Sequence, residues 1–560
     1  MNSGHQAAGW IERWRSAILA VACLFAILPG LASLPPVDRD EARFVQATKQ
    51  MLETGDYVDI RFQDEHRYKK PVGIYWLQVA AVKLTGQGMD ADIWAYRLAS
   101  VASGILAVLI IASLGTYMFG PVVGFGAGLM LIGIFGLGFE ARLAKTDATL
   151  LAITLMTQAA LARFYIAPRR GETLQAHWWW IFWLGIGAGL LVKGPVTPAV
   201  SLITLTSIAW FDRDRTWLKA LKPLRGMLLA LVVVLPWIIA ITMLSGGDFW
   251  AESLGRDFLG KLTTGQESHG APPGYYVLTY GLYMWPFGLL AVIGGLKALN
   301  RFRDPRLLFC LSWYIPFWLL IEAVPTKLPH YPLPAYPGLL LLAAWAYFTV
   351  EGRAVELKTW QRWIVGFTAL GLFVVTAAFG LGALAGPSLA MGQFPLVGIP
   401  VALAAFLAGW LASGWGRPEN GLGRIAGASA AAAVFMGLLA GQLMPYLTPM
   451  WMSPEIVRLY EENKPCPESP LASVTYHEPS LVFLAGTDTQ LTDTNGAAAV
   501  LATPDGCGVA VLPEEQWAAV EALMPDAISL VSIGRIEGTN YSKGQELNLV
   551  MLRQAPSSQE

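Results

Sequence analysis

A chain of 560 residues in which 54% of side chains are hydrophobic and 14% are charged carries too little charge to stay dissolved as an ordinary globule. Its formal charge of −1 offers no electrostatic footprint for nucleic acid. It has no phosphate-cradling P-loop, dinucleotide glycine fingerprint, serine nucleophile elbow or paired Cys-x-x-Cys ligands, so soluble-nucleotide chemistry has no support.

Apolar runs between charged punctuation mark about thirteen membrane helices, each near the roughly 17–25 residues that a bilayer requires. Their ranges are 16–36, 98–117, 120–138, 148–167, 178–193, 195–211, 226–245, 273–296, 307–323, 332–350, 363–385, 397–413 and 424–446. The first holds no charge from Ser16 to Val37. It reads as a retained helix rather than a signal peptide, because Pro29, Pro35 and Pro36 stand where a small-residue cleavage site would be. Basic residues at Arg163, Arg169 and Arg170, from Arg213 to Arg225, from Lys297 to Arg306, from Arg353 to Arg362, and at Arg417 and Arg424 share the side of the N-terminus. The positive-inside bias makes that side cytoplasmic.

This topology divides the chain into a membrane domain, 1–446, and an external domain, 447–560. The first external loop, 38–97, breaks the charge bias by carrying many cations. Ionisable groups pressed against a bilayer mark function more often than decoration, although a solvated loop is the plain alternative. Asp40 to Thr54 has helical periodicity with Gly55 as its C-cap, Tyr57 to Phe62 reads as extended, and Pro71 to Leu84 resumes as a helix at the interface. Three further external segments carry charge: Glu140 to Asp147, Asp248 to Pro273, and the proline-stiffened Pro325 to Pro332.

The tail differs in kind. Strand-sized apolar runs at Ser480–Ala485, Ala498–Ala502, Val509–Leu512 and Leu547–Leu552 alternate with turns and a helix-like run from Glu514 to Leu523, which predicts a small α/β or α+β domain. Cys466 and Cys507 are candidates for a disulfide in an oxidising compartment, and Cys23 and Cys310 read as packing residues.

The external residues suggest a reaction. Asp40 with Glu41 would supply a carboxylate base or orient an acceptor, while Lys70, Arg256, Lys261 and Lys327 would bind a phosphate leaving group. Sugar transfer from a lipid phosphate fits that division of labour. Contact with anionic lipid headgroups is the alternative for Arg256 and Lys327, and a helix-dipole partner is the alternative for Asp147.

In order along the chain come Asp38-Arg-Asp-Glu-Ala-Arg43, Gly55-Asp56, Arg67-Tyr68-Lys69-Lys70-Pro71, Tyr75-Trp76, Ala144-Lys-Thr-Asp147, Val192-Lys193-Gly194, Leu235-Pro-Trp237, His269-Gly-Ala-Pro272 and Lys327-Leu-Pro-His330-Tyr331. This succession resembles the aminoarabinose transferases and the related protein O-mannosyltransferase-like enzymes of the GT-C superfamily. The resemblance implies a GT-C fold in a bacterial inner membrane, with the C-terminal domain periplasmic. It also implies an inverting transferase that takes a polyprenyl-phosphate-linked sugar to lipid A, a lipopolysaccharide core or another glycan, working as a monomer among membrane lipids.

By the same resemblance Asp40 is the first-loop catalytic acid, Asp147 the second important aspartate and Lys70 the donor-phosphate lysine. Lys261 stands in place of a phosphate-binding arginine, and Tyr331 matches a tyrosine of the late external loop. Tyr68, Lys69, Lys193, His269 and His330 join them as site candidates. No metal ligand set is assigned. Lys69 replaces a glutamate implicated in metal binding, and a protonated ammonium cannot ligate a cation, so a divalent metal is left open with His269 as its one candidate ligand. The rival readings are a flippase of lipid-linked saccharides, favoured by internal repeats that this sequence lacks, and a protein O-glycosyltransferase.

Overall fold

The computed structural model describes residues 2–260, 270–414 and 421–555. Most of it is a bundle of apolar helices, and a helix overlaps each range read as a membrane span. Among the described residues, six helices are long and apolar enough to cross a bilayer, or seven when the bent pair Tyr275–Tyr283 and Gly288–Leu299, at 119°, counts as one span. Shorter apolar helices, such as Pro121–Gly133 and Val196–Phe211, complete the bundle.

The elements that frame the end of the bundle nearest the tail follow in order. Helix α1 (Asn2–Ile27) stops well short of residue 36, because Pro29 and Gly30 turn the chain. Gly30 has φ +88°, and a Cβ there would lie 2.8 Å from the Ala440 backbone, so only glycine lets this turn press on the last bundle helix. Helix α2 (Asp40–Thr54) keeps its expected bounds, ending at Gly55 in the left-handed region, whose N–H returns to the Met51 carbonyl. The extended stretch shrinks to a hairpin of β1 (Arg61–Phe62) on β2 (Glu65–His66), followed by α3 (Gly73–Thr85). Then come α4 (Ile93–Phe119), α5 (Pro121–Gly133), α6 (Phe135–Glu140), α7 (Asp147–Ile166) and α8 (His177–Lys193).

The tail forms a mixed five-stranded sheet in the order β4-β3-β5-β7-β6. Strands β3 (Leu471–Val474), β4 (Gln490–Thr492) and β5 (Val509–Pro513) are parallel, while β7 (Gln545–Gln554) runs antiparallel to β5 and to β6 (Leu530–Asn540). Two runs expected as strands are helices. Pro479–Ala485 starts with proline in its first turn, and Thr494–Leu501 starts on the Asp493 side chain, which accepts from Gly496 N–H. Both are short apolar segments whose length does not separate the two states. Cys466 and Cys507 are bonded to each other, and Cys23 and Cys310 are buried.

Candidate active site

Local chemistry at the head of α2 separates two adjacent carboxylates. Glu41 is buried against Arg97 of α4, whose Nε and Nη2 each donate to one of its oxygens at 2.8 Å. The N–H groups of Ala144 (2.7 Å) and Val37 (3.0 Å) also donate to Glu41. Arg97 spends its remaining donors on the carbonyls of Leu31, Leu34 and Pro35. This pair binds four segments into one corner, so Glu41, expected among the catalytic residues, is occupied as a structural anchor. The corner holds the segment 141–146 beside α2. Arg142 of that segment gives its guanidinium to the carbonyls of Ala26, Pro29 and Gly138.

Asp40, in the first turn of α2, is open to solvent on one side. The protein mass behind it works against ionisation, but the charges of Lys145, His330 and Arg67 prevail over that and over Asp147, holding its carboxyl below the ordinary carboxylate range. Arg67 is itself fixed, with Nη1 donating to the Tyr75 hydroxyl at 2.6 Å and its guanidinium 4.8 Å from the Phe44 ring centroid.

Around Asp40 the ends of several helices deliver a compact charged cluster. Asp147, the first residue of α7, takes Lys193 Nζ from the last turn of α8 at 2.6 Å and lies 3.9 Å from Lys145 Nζ. Lys145 reaches Glu140 at the end of α6 at 2.9 Å. His330 bridges the two carboxylates, with Nε2 3.6 Å from Asp147 and Nδ1 3.9 Å from Glu140. The Tyr283 hydroxyl donates to Glu140 at 3.1 Å, and Lys193 Nζ stands 5.6 Å from the centre of the Tyr331 ring. Burial disfavours the charge on Lys145, but Glu140, Asp147 and Asp40 more than offset it and keep the ammonium protonated. Burial dominates at His330 and lowers it from its usual value, against the pull of Asp147 and Glu140.

The structure thus brings together Asp40, Asp147, Lys193, His330 and Tyr331. It adds Glu140, Lys145, Arg67 and Tyr283, which sequence reasoning did not single out as site residues. The trace they left was a cation and two carboxylates, Glu140, Lys145 and Asp147, closely spaced between apolar runs.

Lys69 and Lys70 are half-buried in the turn before α3. Gly73 has the Leu191 carbonyl 2.7 Å from where a Cβ would be, so α3 packs backbone to backbone against α8, two residues from Lys193. That contact places the lysine turn at the same corner of the bundle.

Two other candidates are engaged in structural contacts. Lys327 is 3% exposed, and its ammonium donates to the carbonyls of Val324 (2.6 Å) and Ala271 (3.0 Å), so it staples two loops instead of facing a cavity. Tyr68 is buried, its hydroxyl donating to Asp59 at 3.1 Å with His66 Nδ1 at 2.9 Å; it braces the hairpin ahead of the lysines. Arg256 is exposed on the helical turn Ala251–Leu259, while Lys261 and His269 lie outside the described residues. For a metal the donor set is a poor fit. Lys69 offers an ammonium, which cannot ligate a cation while protonated, and among the described residues no group of three His, Cys, Asp or Glu side chains is placed to hold a metal ion.

Residues 69–239 match the family described as dolichyl-phosphate-mannose-protein mannosyltransferase. The undecaprenyl phosphate-alpha-4-amino-4-deoxy-L-arabinose arabinosyl transferase of Aeromonas salmonicida (strain A449) is 29% identical over 372 residues, which is 63% of this chain and 64% of that protein, a little under two thirds of its length. The transferase of the same name from Yersinia pestis (strain Pestoides F) is 28% identical over 450 residues, 76% of each chain. Among solved structures, ArnT from Cupriavidus metallidurans, bound to undecaprenyl phosphate, superposes with a TM-score of 0.73 at 19% identity, covering 98% of this chain and 99% of that one. In sequence and in fold, then, this polytopic helical membrane protein is similar to the ArnT-like glycosyltransferases of the GT-C superfamily.

Proposed function

We propose that the protein is an inverting glycosyltransferase that moves a sugar from a polyprenyl-phosphate carrier to an acceptor at the periplasmic face of a bacterial inner membrane. In this reading thirteen spans carry the chain from a cytoplasmic N-terminus to a periplasmic C-terminal domain. The observation that carries the proposal is the meeting of Asp40, from the head of α2, with Lys145, Asp147, Lys193 and His330 at one end of the bundle.

The donor phosphate would meet Lys70 and Lys261, with Arg256 available from the neighbouring segment. These ammonium and guanidinium groups stabilise the charge that grows on the leaving phosphate as the bond to the anomeric carbon breaks. The acceptor oxygen attacks that carbon from the Asp40 side and inverts it. No step is routed through a metal.

The electrostatics of Asp40 bear on the acceptor. A carboxyl held below its usual range is ionised at neutral pH but a weak proton acceptor. It therefore suits an acceptor that arrives already ionised, such as a lipid A phosphate, which Asp40 need only orient against the surrounding cations. A sugar or protein hydroxyl would instead have to lose its proton to this weak base.

The direct test is transfer by the purified protein from a panel of labelled polyprenyl-phosphate sugars into membrane extract. Asp40→Asn should abolish incorporation while the variant keeps its thermal unfolding midpoint. Full activity in that variant would remove Asp40 from the mechanism. Failure of the folded parent protein with every donor would favour a flippase.

A further inference from the structure

The C-terminal unit grips the chain immediately ahead of Asp40. Asp38 accepts two hydrogen bonds from Ser480, one from its N–H at 2.8 Å and one from its hydroxyl at 2.6 Å. The N–H of Asp38 donates to the Tyr541 hydroxyl at 2.8 Å. Ser480 is itself fixed, its Oγ 2.6 Å from that of Ser453, which is 2.8 Å from the Tyr476 hydroxyl. Beside it Arg39 stands 3.9 Å from Glu478, a buried carboxylate that also accepts from Asn540 and Ser542.

Docking alone does not require this contact. The body of α2 is already tied to the same unit where Gln46 donates to the Thr487 hydroxyl at 2.8 Å and Thr487 donates to Glu53 at 2.8 Å. The start of α2 is a different matter. Its N-cap, Arg39, makes no side-chain cap hydrogen bond, so the first turn lacks the usual local lock. Glu41 fixes the buried side of that turn through Val37 N–H. A second tie on this turn is the Asp38 contact with Ser480 and Tyr541, two residues ahead of Asp40.

We propose that Asp38 is a positioning residue: its clasp on Ser480 and Tyr541 fixes the first turn of α2, and so the direction of the Asp40 carboxylate, making the C-terminal unit part of the reaction machinery. This rests on the transferase reading above. The groups that face Asp38 are Glu478, Tyr476, Tyr541, Arg39 and Arg43, together with the hydroxyl of Ser480. Burial pushes its carboxyl up to about 7 against the Ser480 hydrogen bonds and Arg43, with Glu478 adding to the rise. Asp38 is therefore largely ionised only above that pH.

Two variants separate positioning from mere stability. Asp38→Ala removes both acceptors. Asp38→Asn keeps an oxygen for Ser480 N–H and offers an N–H to Ser480 Oγ, so it rebuilds the clasp without the charge. In full-length protein in nanodiscs, with undecaprenyl-phosphate-linked sugar as donor, Asp38→Ala should lower kcat about 10- to 100-fold with donor KM unchanged. Hydrogen exchange should quicken at residues 37–44 in the same variant. Asp38→Asn should recover most of kcat, while its kcat profile loses the inflection near pH 7.

Parental kcat in Asp38→Ala, a loss that Asp38→Asn does not rescue, or unchanged exchange at 37–44 would each overturn the proposal. If the parent protein transfers from no donor, the transferase reading fails by itself. The exchange arm then decides the clasp alone, and unchanged protection in Asp38→Ala would sink it.

Discussion

Asp40 and Glu41 are chemically near-twins one residue apart, and their surroundings give them opposite tasks. A helix turns about 100° per residue, so adjacent side chains face different neighbours. Here Asp40 meets the charged cluster of Lys145, His330 and Arg67, and Glu41 meets Arg97. Removing one partner of a buried pair leaves an uncompensated charge, so Glu41→Ala should cost about 3–5 kcal/mol, read as a lower thermal unfolding midpoint. A variant with parental stability and no transfer would return Glu41 to the chemistry. The sequence motif made the Asp-Glu pair visible but not its orientation, because Arg97 is 56 residues away and carries no local signal. Asp147 and Lys193 were legible from their order in the motif succession. The partnership of His330 with Glu140 was not, since it forms only when helices distant in sequence meet at one end of the bundle.

Among elements, those with strong punctuation were the readable ones. Gly55 announced the end of α2 because a left-handed terminus excludes most other residues, and both bounds matched. The helices Pro479–Ala485 and Thr494–Leu501 were misread because a short apolar run fits a strand as well as a helical turn or two. The ties between loops at this end of the bundle were invisible for a different reason: they run through side chains to backbone. Glu322, at the end of the helix Pro305–Ala323, accepts from the N–H groups of Gly274 and Tyr276 at 3.0 Å each, capping the helix Tyr275–Tyr283 from outside. Lys327 staples the same loop through the Ala271 carbonyl. Glu322→Ala should therefore loosen this start by about 1–2 kcal/mol, the usual worth of a lost cap. Faster hydrogen exchange confined to the first turn of Tyr275–Tyr283 would confirm it, and unchanged exchange would show that the Lys327 staple suffices.

At the scale of the whole molecule, the ties between the bundle and the sheet-bearing tail include one acidic side chain whose proton is retained far above its ordinary value. The Asp38 carboxyl titrates at about 7 in the folded protein against 3.8 without these surroundings. Between those values the unfolded chain releases a proton that the folded one keeps. The contribution of Asp38 to stability is thus complete below the lower value and is lost as pH rises through about 7. Asp38→Asn abolishes that dependence. Its thermal midpoint, relative to the parent, should climb as pH is raised across this window, and a constant difference would show that the group does not titrate there.

The same junction has a consequence in time. Ser480 lies 442 residues after Asp38, so a ribosome adding about 5–20 residues per second supplies the second half of the clasp some 20–90 s after the first. Until then the head of α2 carries its acidic residue without the geometry to use it. On the reading proposed above, the charged end of the bundle stays silent while the chain is being made and becomes competent only when the sheet that follows has folded against it.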